Sequence, residues 1–194
     1  MNRARKLEEL VIKLYESMDP RREDWAEWLY KNHVFWVADK AEEIAKSNDI
    51  NPEYSRAAAL LHDIADAEMS RFNPAHESRS LEIARKLLIE AGYTEYEIKL
   101  IVDDAIRYHS CRDGEKPTSK EGLVLATADA LAHFQTDFMF HAFIDVSADD
   151  YPKRKQWALE KIDKDFNHKI FFDDLREEVR PYFETLQIML RDTR

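Results

Sequence analysis

Apolar residues recur along almost the whole chain at three- and four-residue intervals, the period of a helix with one buried face. Leu7, Leu10, Val11, Leu14, Tyr15 and Met18 form the first such face. Asp19-Pro20 reads as the end of that helix and the start of a second, with aspartate as cap and proline at the first helical position. The second helix carries Trp25, Leu29, Val34, Val37, Ala41 and Ile44 inward and runs to about Ser47. Asn51-Pro52 repeats the start signal for a helix through Ala57 to Ala65. A polar turn from Ser70 to Pro74 leads to a helix from His76 to Ala91, which Gly92 closes. Thr94 and Glu97 make a capping box that opens a helix with Ile98, Ile101, Val102, Ala105, Ile106 and His109 on one face.

The clearest loop is Cys111–Ser119, which contains Asp113-Gly114 and Pro117. The pattern then predicts a long helix from about Lys120 to Ile144 and two amphipathic helices over about 152–168 and 174–191. No strand-like alternation, internal repeat or linker interrupts this order. The expectation is one all-α domain over 1–194, of about eight helices.

Composition narrows the possible partners. Hydrophobic residues make up 44% and charged residues 35% of 194 positions, a globular balance, and 3 Gly with 6 Pro argue against a turn-rich sheet protein. Lys+Arg 29 against Asp+Glu 39 gives a net charge of −10, which repels long nucleic acids. A small anion held through a metal stays compatible with that charge, because a bound cation dominates its local field. The single cysteine excludes an internal disulfide and a thiolate zinc site, and suits a reducing compartment. The first residues lack the apolar core of a signal peptide, and no apolar run approaches a membrane span of ~18 residues. A cytoplasmic protein without membrane contact is expected.

Chemistry concentrates where polar groups sit on apolar faces. His62-Asp63 ends the run Ala57-Ala58-Ala59-Leu60-Leu61, His33 precedes Val34-Phe35-Trp36-Val37, His109 takes a core-facing phase, and Asp129 lies within Leu125 to Ala132. One such histidine alone reads as a hydrogen-bonded core residue. Several in one small core are costly unless they share a partner, and a divalent metal is the natural one.

The order His33, His62-Asp63, Asp129, with the Ala-rich run into Leu-Leu-His-Asp-Ile and Thr-Ala-Asp-Ala-Leu around Asp129, resembles the HD superfamily of metal-dependent phosphohydrolases over roughly residues 25–140. His76 and His109 stand where the dinuclear branch of that superfamily adds two histidines. The resemblance implies that His33, His62 and Asp129 hold one ion, that His76 and His109 hold another, and that Asp63 bridges them. Histidine and carboxylate without thiolate fit Mn, Fe, Co, Ni or Zn. Asp63 and Asp66 are the catalytic candidates. Asp66, one turn beyond His62, has three readings: it orients a ligand histidine, shuttles a proton to the leaving group, or sits solvated and idle.

Departures from the family narrow the substrate. Asp66-Ala67 stands where guanosine tetraphosphate hydrolases carry Glu-Asp, and Ser110-Cys111-Arg112 replaces the Gly-Tyr-Pro extension of cyclic di-GMP phosphodiesterases. Arg79 and Arg112 could reach a phosphate or lie idle on the surface. His133 could line the pocket, whereas nothing beside Cys111 suggests an activated thiolate. The stretch Trp157–Phe172 reads as packing or a dimer face, so a homodimer is compatible with the sequence. Hydrolysis of a phosphate ester or anhydride of a nucleotide or other small phosphorylated metabolite is the leading expectation. A di-iron oxygenase acting on a small polar or phosphonate substrate and a non-catalytic metal-bound sensor or scaffold are the alternatives.

Overall fold

A computed structural model describes residues 2–144 and 146–191, so Met1, Asp145 and residues 192–194 of the expected 1–194 domain lie outside the described residues. Among the described residues every regular element is helical. The chain opens with α1 (Arg3–Glu16). Asp19-Pro20 does not start the second helix. Met18 takes a left-handed φ of 54°. The Asp19 carboxylate accepts from the backbone N–H of Arg21 and from its guanidinium, both at 2.9 Å. That aspartate therefore builds a turn instead of a cap, and helix resumes at α2 (Ala26–Leu29). From there the chain passes through a wide π-helical turn, Tyr30–Val34, into α3 (Phe35–Ser47).

α4 (Pro52–Leu61) begins as its sequence implies. Asn51 Oδ1 accepts from the N–H groups of Glu53 at 3.0 Å and Tyr54 at 3.2 Å, satisfying donors that a helix start leaves free. It ends at Leu61, short of the expected Ala65. The His62 ring Nδ1–H donates at 2.6 Å to the Ala59 carbonyl, which a continuing helix would offer to the N–H of Asp63. Asp63 leaves the helical region at φ −126° and ψ 35°, and a 3₁₀ turn follows over Ile64–Ala67.

α5 (His76–Ala91) ends on Gly92, whose φ of 100° turns the chain so that the Tyr93 N–H reaches back to the Leu88 carbonyl at 3.0 Å. α6 (Glu95–Ile98) carries both halves of the Thr94/Glu97 box and widens into a π-helical stretch at Lys99–Ile106. α7 (Lys120–Gln135) is capped by Ser119. At Gly122 it passes so close to the preceding loop that an added Cβ would collide with the Pro117 side chain and lie 3.0 Å from the Ala105 backbone. The expected long helix stops at Gln135, short of Ile144. The Thr136 hydroxyl donates to the Ala132 carbonyl at 2.6 Å and accepts from the Phe138 N–H at 3.2 Å, which launches α8 (Phe138–His141). α9 (Tyr151–Lys164) runs into a third wide turn, Asp165–Lys169, and α10 (Asp173–Arg191) closes the described chain.

The core lies around α3, α4 and α7. α7 is buried continuously from Val124 to Phe134, as expected of a helix apolar on all sides. α1 and α5 cover one flank. On the other, Phe166 stacks on Phe183 of α10 at 4.2 Å and both meet Phe134 edge-on, which fixes the Asp165–Lys169 turn against α7. Among the described residues no helix is long and apolar enough to cross a membrane.

Candidate metal centre

The local breaks in the helices are what bring the polar groups together. His33 lies inside the wide turn before α3, His62 and Asp63 occupy the break after α4, and Asp129 lies in the buried middle of α7. Ligand atoms of His33, His62 and Asp129 all fall within 4.8 Å of one another, and all three residues are buried. His33 Nε2 is 3.2 Å and His62 Nε2 3.8 Å from Asp129 Oδ1.

The tautomers of two histidines follow from backbone contacts. His62 donates from Nδ1 to the Ala59 carbonyl, and His109 donates from Nδ1 to the Ile106 carbonyl at 2.6 Å. Each ring is thereby left with its lone pair on Nε2. His62 Nε2 is buried with no hydrogen-bond partner, and His109 Nε2 faces Asp63 Oδ1 at 4.0 Å. Burial depresses His33 and brings His109 down to about 4, so both rings are neutral and able to coordinate. Burial alone would raise Asp63, but the Arg71 guanidinium and the surrounding imidazoles hold it well below the usual carboxylate range. Asp129 is held low against the same burial by Lys169 and His133. Neutral imidazole lone pairs beside ionised carboxylates form a nitrogen and oxygen donor set suited to a first-row divalent ion.

The second histidine pair is arranged differently. His76, at the start of α5, lines the same cavity as Asp63 and His109, and its Nε2 meets Asp66 Oδ1 at 2.9 Å. Asp66 is neither solvated nor idle: it is buried, and its carboxylate also accepts from Nε and Nη2 of Arg71. Arg71 Nη2 in turn lies 2.9 Å from Asp63 Oδ2. Asp63, His76 and His109 do not form a group as tight as His33, His62 and Asp129 among the described residues.

A cavity of about 150 Å³ opens over the centre. His133 lines it, with Nε2 3.7 Å from Asp129 Oδ1 and Nδ1 2.9 Å from buried Asp165. Arg112 lies at its mouth, paired with Glu77 at 3.2 Å, while Arg79 is committed to Glu68 and Glu82 and does not line it. Cys111 is buried and its thiol is pushed up by that burial, so no reactive thiolate is present. Three residues carry weight that sequence reasoning missed. Arg71 ties Asp63 to Asp66, Lys169 donates to Asp129 Oδ2, and Asp165 anchors His133, Lys161 and Lys169. A run of charges around Lys161–Lys169 was the only local signal for the last two.

An all-helical scaffold that gathers buried histidine and aspartate from separate helices is compatible with a metal site in its core. The HD domain family profile matches residues 30–133, more than half of the chain and the span from His33 to Asp129 and His133. The chain belongs to the HD domain family, most of whose members are metal-dependent hydrolases. No curated protein and no solved structure matches it.

Proposed function

We propose that this chain is a metal-dependent phosphohydrolase that cleaves a phosphate ester or anhydride of a nucleotide or other small phosphorylated metabolite. The observation that carries the proposal is the wall of the small cavity: Arg71, Lys161, Lys164 and Lys169 surround the histidine and aspartate centre in a chain whose net charge is −10. Cations concentrated at one opening attract a phosphoryl group. His33, His62, Asp63 and Asp129 are assigned to one ion, with His76 and His109 serving a second that Asp63 shares. Divalent ions held there would supply Lewis acidity to phosphoryl oxygens and make water a better nucleophile.

The chain's own groups have separable tasks. The Ala59 and Ile106 carbonyls hold the rings of His62 and His109 in one tautomer and one direction. Asp63, ionised and turned partly to the cavity, offers one oxygen to the centre while Arg71 holds the other. Asp66, with its oxygens engaged by Arg71 and His76, acts as a positioning residue for both. A cytoplasmic location, a small-molecule substrate without long nucleic acid or membrane, and a homodimer belong to the same proposal.

The experiment is turnover on a phosphoester and phosphoanhydride panel with manganese- or cobalt-loaded protein, with and without oxygen, in labelled water. The proposal expects turnover to persist anaerobically and the label to enter the phosphate product. Turnover that stops without oxygen would support the oxygenase instead. Metal binding without turnover on any substrate would support the sensor.

A further inference from the structure

Beside the small cavity lies a larger one, of about 860 Å³. The two share Arg71, Arg112, Lys161 and Lys164 in their walls, so they are neighbouring compartments of one site. Aromatic rings line the larger compartment: Trp25, Phe72, Phe138 and Trp157. Phe72 is 76% and Trp157 39% exposed, so both leave ring surface open to the compartment that they line. Cations lie over three of the rings, with Arg71 on Trp25 and Arg154 on Trp157 at 5.4 Å each and Lys161 on Phe138 at 5.6 Å. Six cationic residues line this compartment against two acidic ones, Asp150 and Glu160, the reverse of the chain's overall balance. Lys164 is half-buried beside Lys161 and Lys169, and among the described residues it has no ion-pair partner.

We propose that the larger compartment is the leaving-group subsite, and that it holds an aromatic base joined to a phosphate, the departing part of a nucleoside diphosphate or longer anhydride. The inference rests on the hydrolase reading above. Rings alone would accept any apolar group, and cations alone any anion. Both together, opening onto a phosphoryl centre, select a molecule that carries a flat ring and its own negative charge. A simple phosphomonoester releases an uncharged alcohol, which would give Lys164 no anion to pair with. An anhydride releases a second phosphate, which Lys164 can hold.

The chemistry balances without a proton donor. A water oxygen bonds to the attacked phosphorus, the bond from that phosphorus to the bridging oxygen breaks, and the bridging oxygen keeps the electron pair. The water protons pass to solvent. A phosphate leaving group, with its second pKa near ~6, departs as the anion. That agrees with Asp66 being spent on Arg71 and His76. Phe138 and Trp157 lie beyond residue 133, where the family match ends, so substrate choice is built largely by this chain's own C-terminal part.

The test compares two non-hydrolysable probes that share one P–C–P unit: α,β-methyleneadenosine diphosphate and ringless methylenediphosphonate. Each is titrated calorimetrically into the 194-residue, manganese-loaded chain. The nucleoside probe should bind about tenfold tighter or better, as stacking of one base implies. Trp157→Ala should remove about that tenfold for the nucleoside probe, with roughly a twofold change or less for the ringless one. Trp157→Phe should restore most of the loss, which separates a stacking role from misfolding. Lys164→Gln should weaken both probes. Equal binding of the two probes by the unaltered chain, or equal weakening of both by Trp157→Ala, would overturn the proposal. Binding is read here without turnover. Base-selective binding with no hydrolysis would uphold the subsite and end the hydrolase reading, while hydrolysis with no base selectivity would do the reverse.

Discussion

Two polar clusters on this scaffold join distant parts of the chain, and they are built in opposite ways. At one end, Glu97 accepts from Arg3 twice at 2.9 Å, from the Tyr54 hydroxyl at 2.6 Å and from the Thr94 N–H at 2.7 Å. Arg3 also pairs with Glu53 at 2.6 Å and lies over the Tyr93 ring. Every charge there has its partner, and the Arg3 guanidinium first among them holds Glu97 at about 2. At the other, His62 Nε2 is buried without a hydrogen-bond partner, and the lone pairs of His62 and His109 face the carboxylates of Asp129 and Asp63. A cluster complete in itself ties α1 to α6 and needs nothing more. A cluster incomplete in itself costs stability that a bound cation would restore.

That contrast can be broken most sharply at Asp63. Asp63→Ala should lower turnover by several orders of magnitude while leaving the circular dichroism spectrum intact, because Asp63 already lies outside regular helix and Arg71 keeps Asp66. Collapse of the helical signal in that variant would show that the centre serves the fold as the Glu97 cluster does. His109→Ala comes next. The metal count, read by elemental mass spectrometry, should fall from about two to about one per chain. An unchanged count would remove the second ion and leave the first.

The legible part of the molecule was the part governed by local rules. The caps at Asn51, Thr94 and Gly92 and the apolar faces located most helices. Histidines at apolar phases marked His33, His62 and His109 because burial makes them expensive unless partnered. The helix ends at Leu61 and Gln135 were not legible, since each depends on a side chain capturing a backbone carbonyl, His62 on Ala59 and Thr136 on Ala132. Arg71 lay in a stretch that reads as a solvated turn. Lys169 becomes part of the centre only because Phe166 and Phe183 pin its turn to α7. Neither fact has a signature within a few residues of chain.

Asp66 sharpens the comparison at smaller amplitude. As a positioning residue, Asp66→Asn should cost roughly 10–100-fold in kcat/KM, equally for alkyl phosphates and for nitrophenyl phosphate. A loss confined to alkyl phosphates, whose leaving groups need a proton, would make it an acid. The smallest effect belongs to the complete cluster. Glu97→Gln should leave activity in place and destabilise the fold by about 1–2 kcal/mol, measured by urea denaturation. Its pH dependence has a definite sign. The folded-state value near 2 lies below the ~4.3 of an unfolded glutamate, so the contribution is complete above about pH 4.3 and is lost as pH falls towards 2. The variant should therefore converge with the unaltered chain at low pH, and a constant gap would refute the assignment.

The central claim is that His33, His62, Asp63 and Asp129 share a cation. It is tested most directly by the transition-metal content of the purified 194-residue chain beside Asp129→Ala, both dialysed against the same buffer. The account predicts on the order of two ions per unaltered chain and about one in the variant. Equal metal content in the two proteins, or none in either after incubation with manganese, iron or zinc, would contradict it.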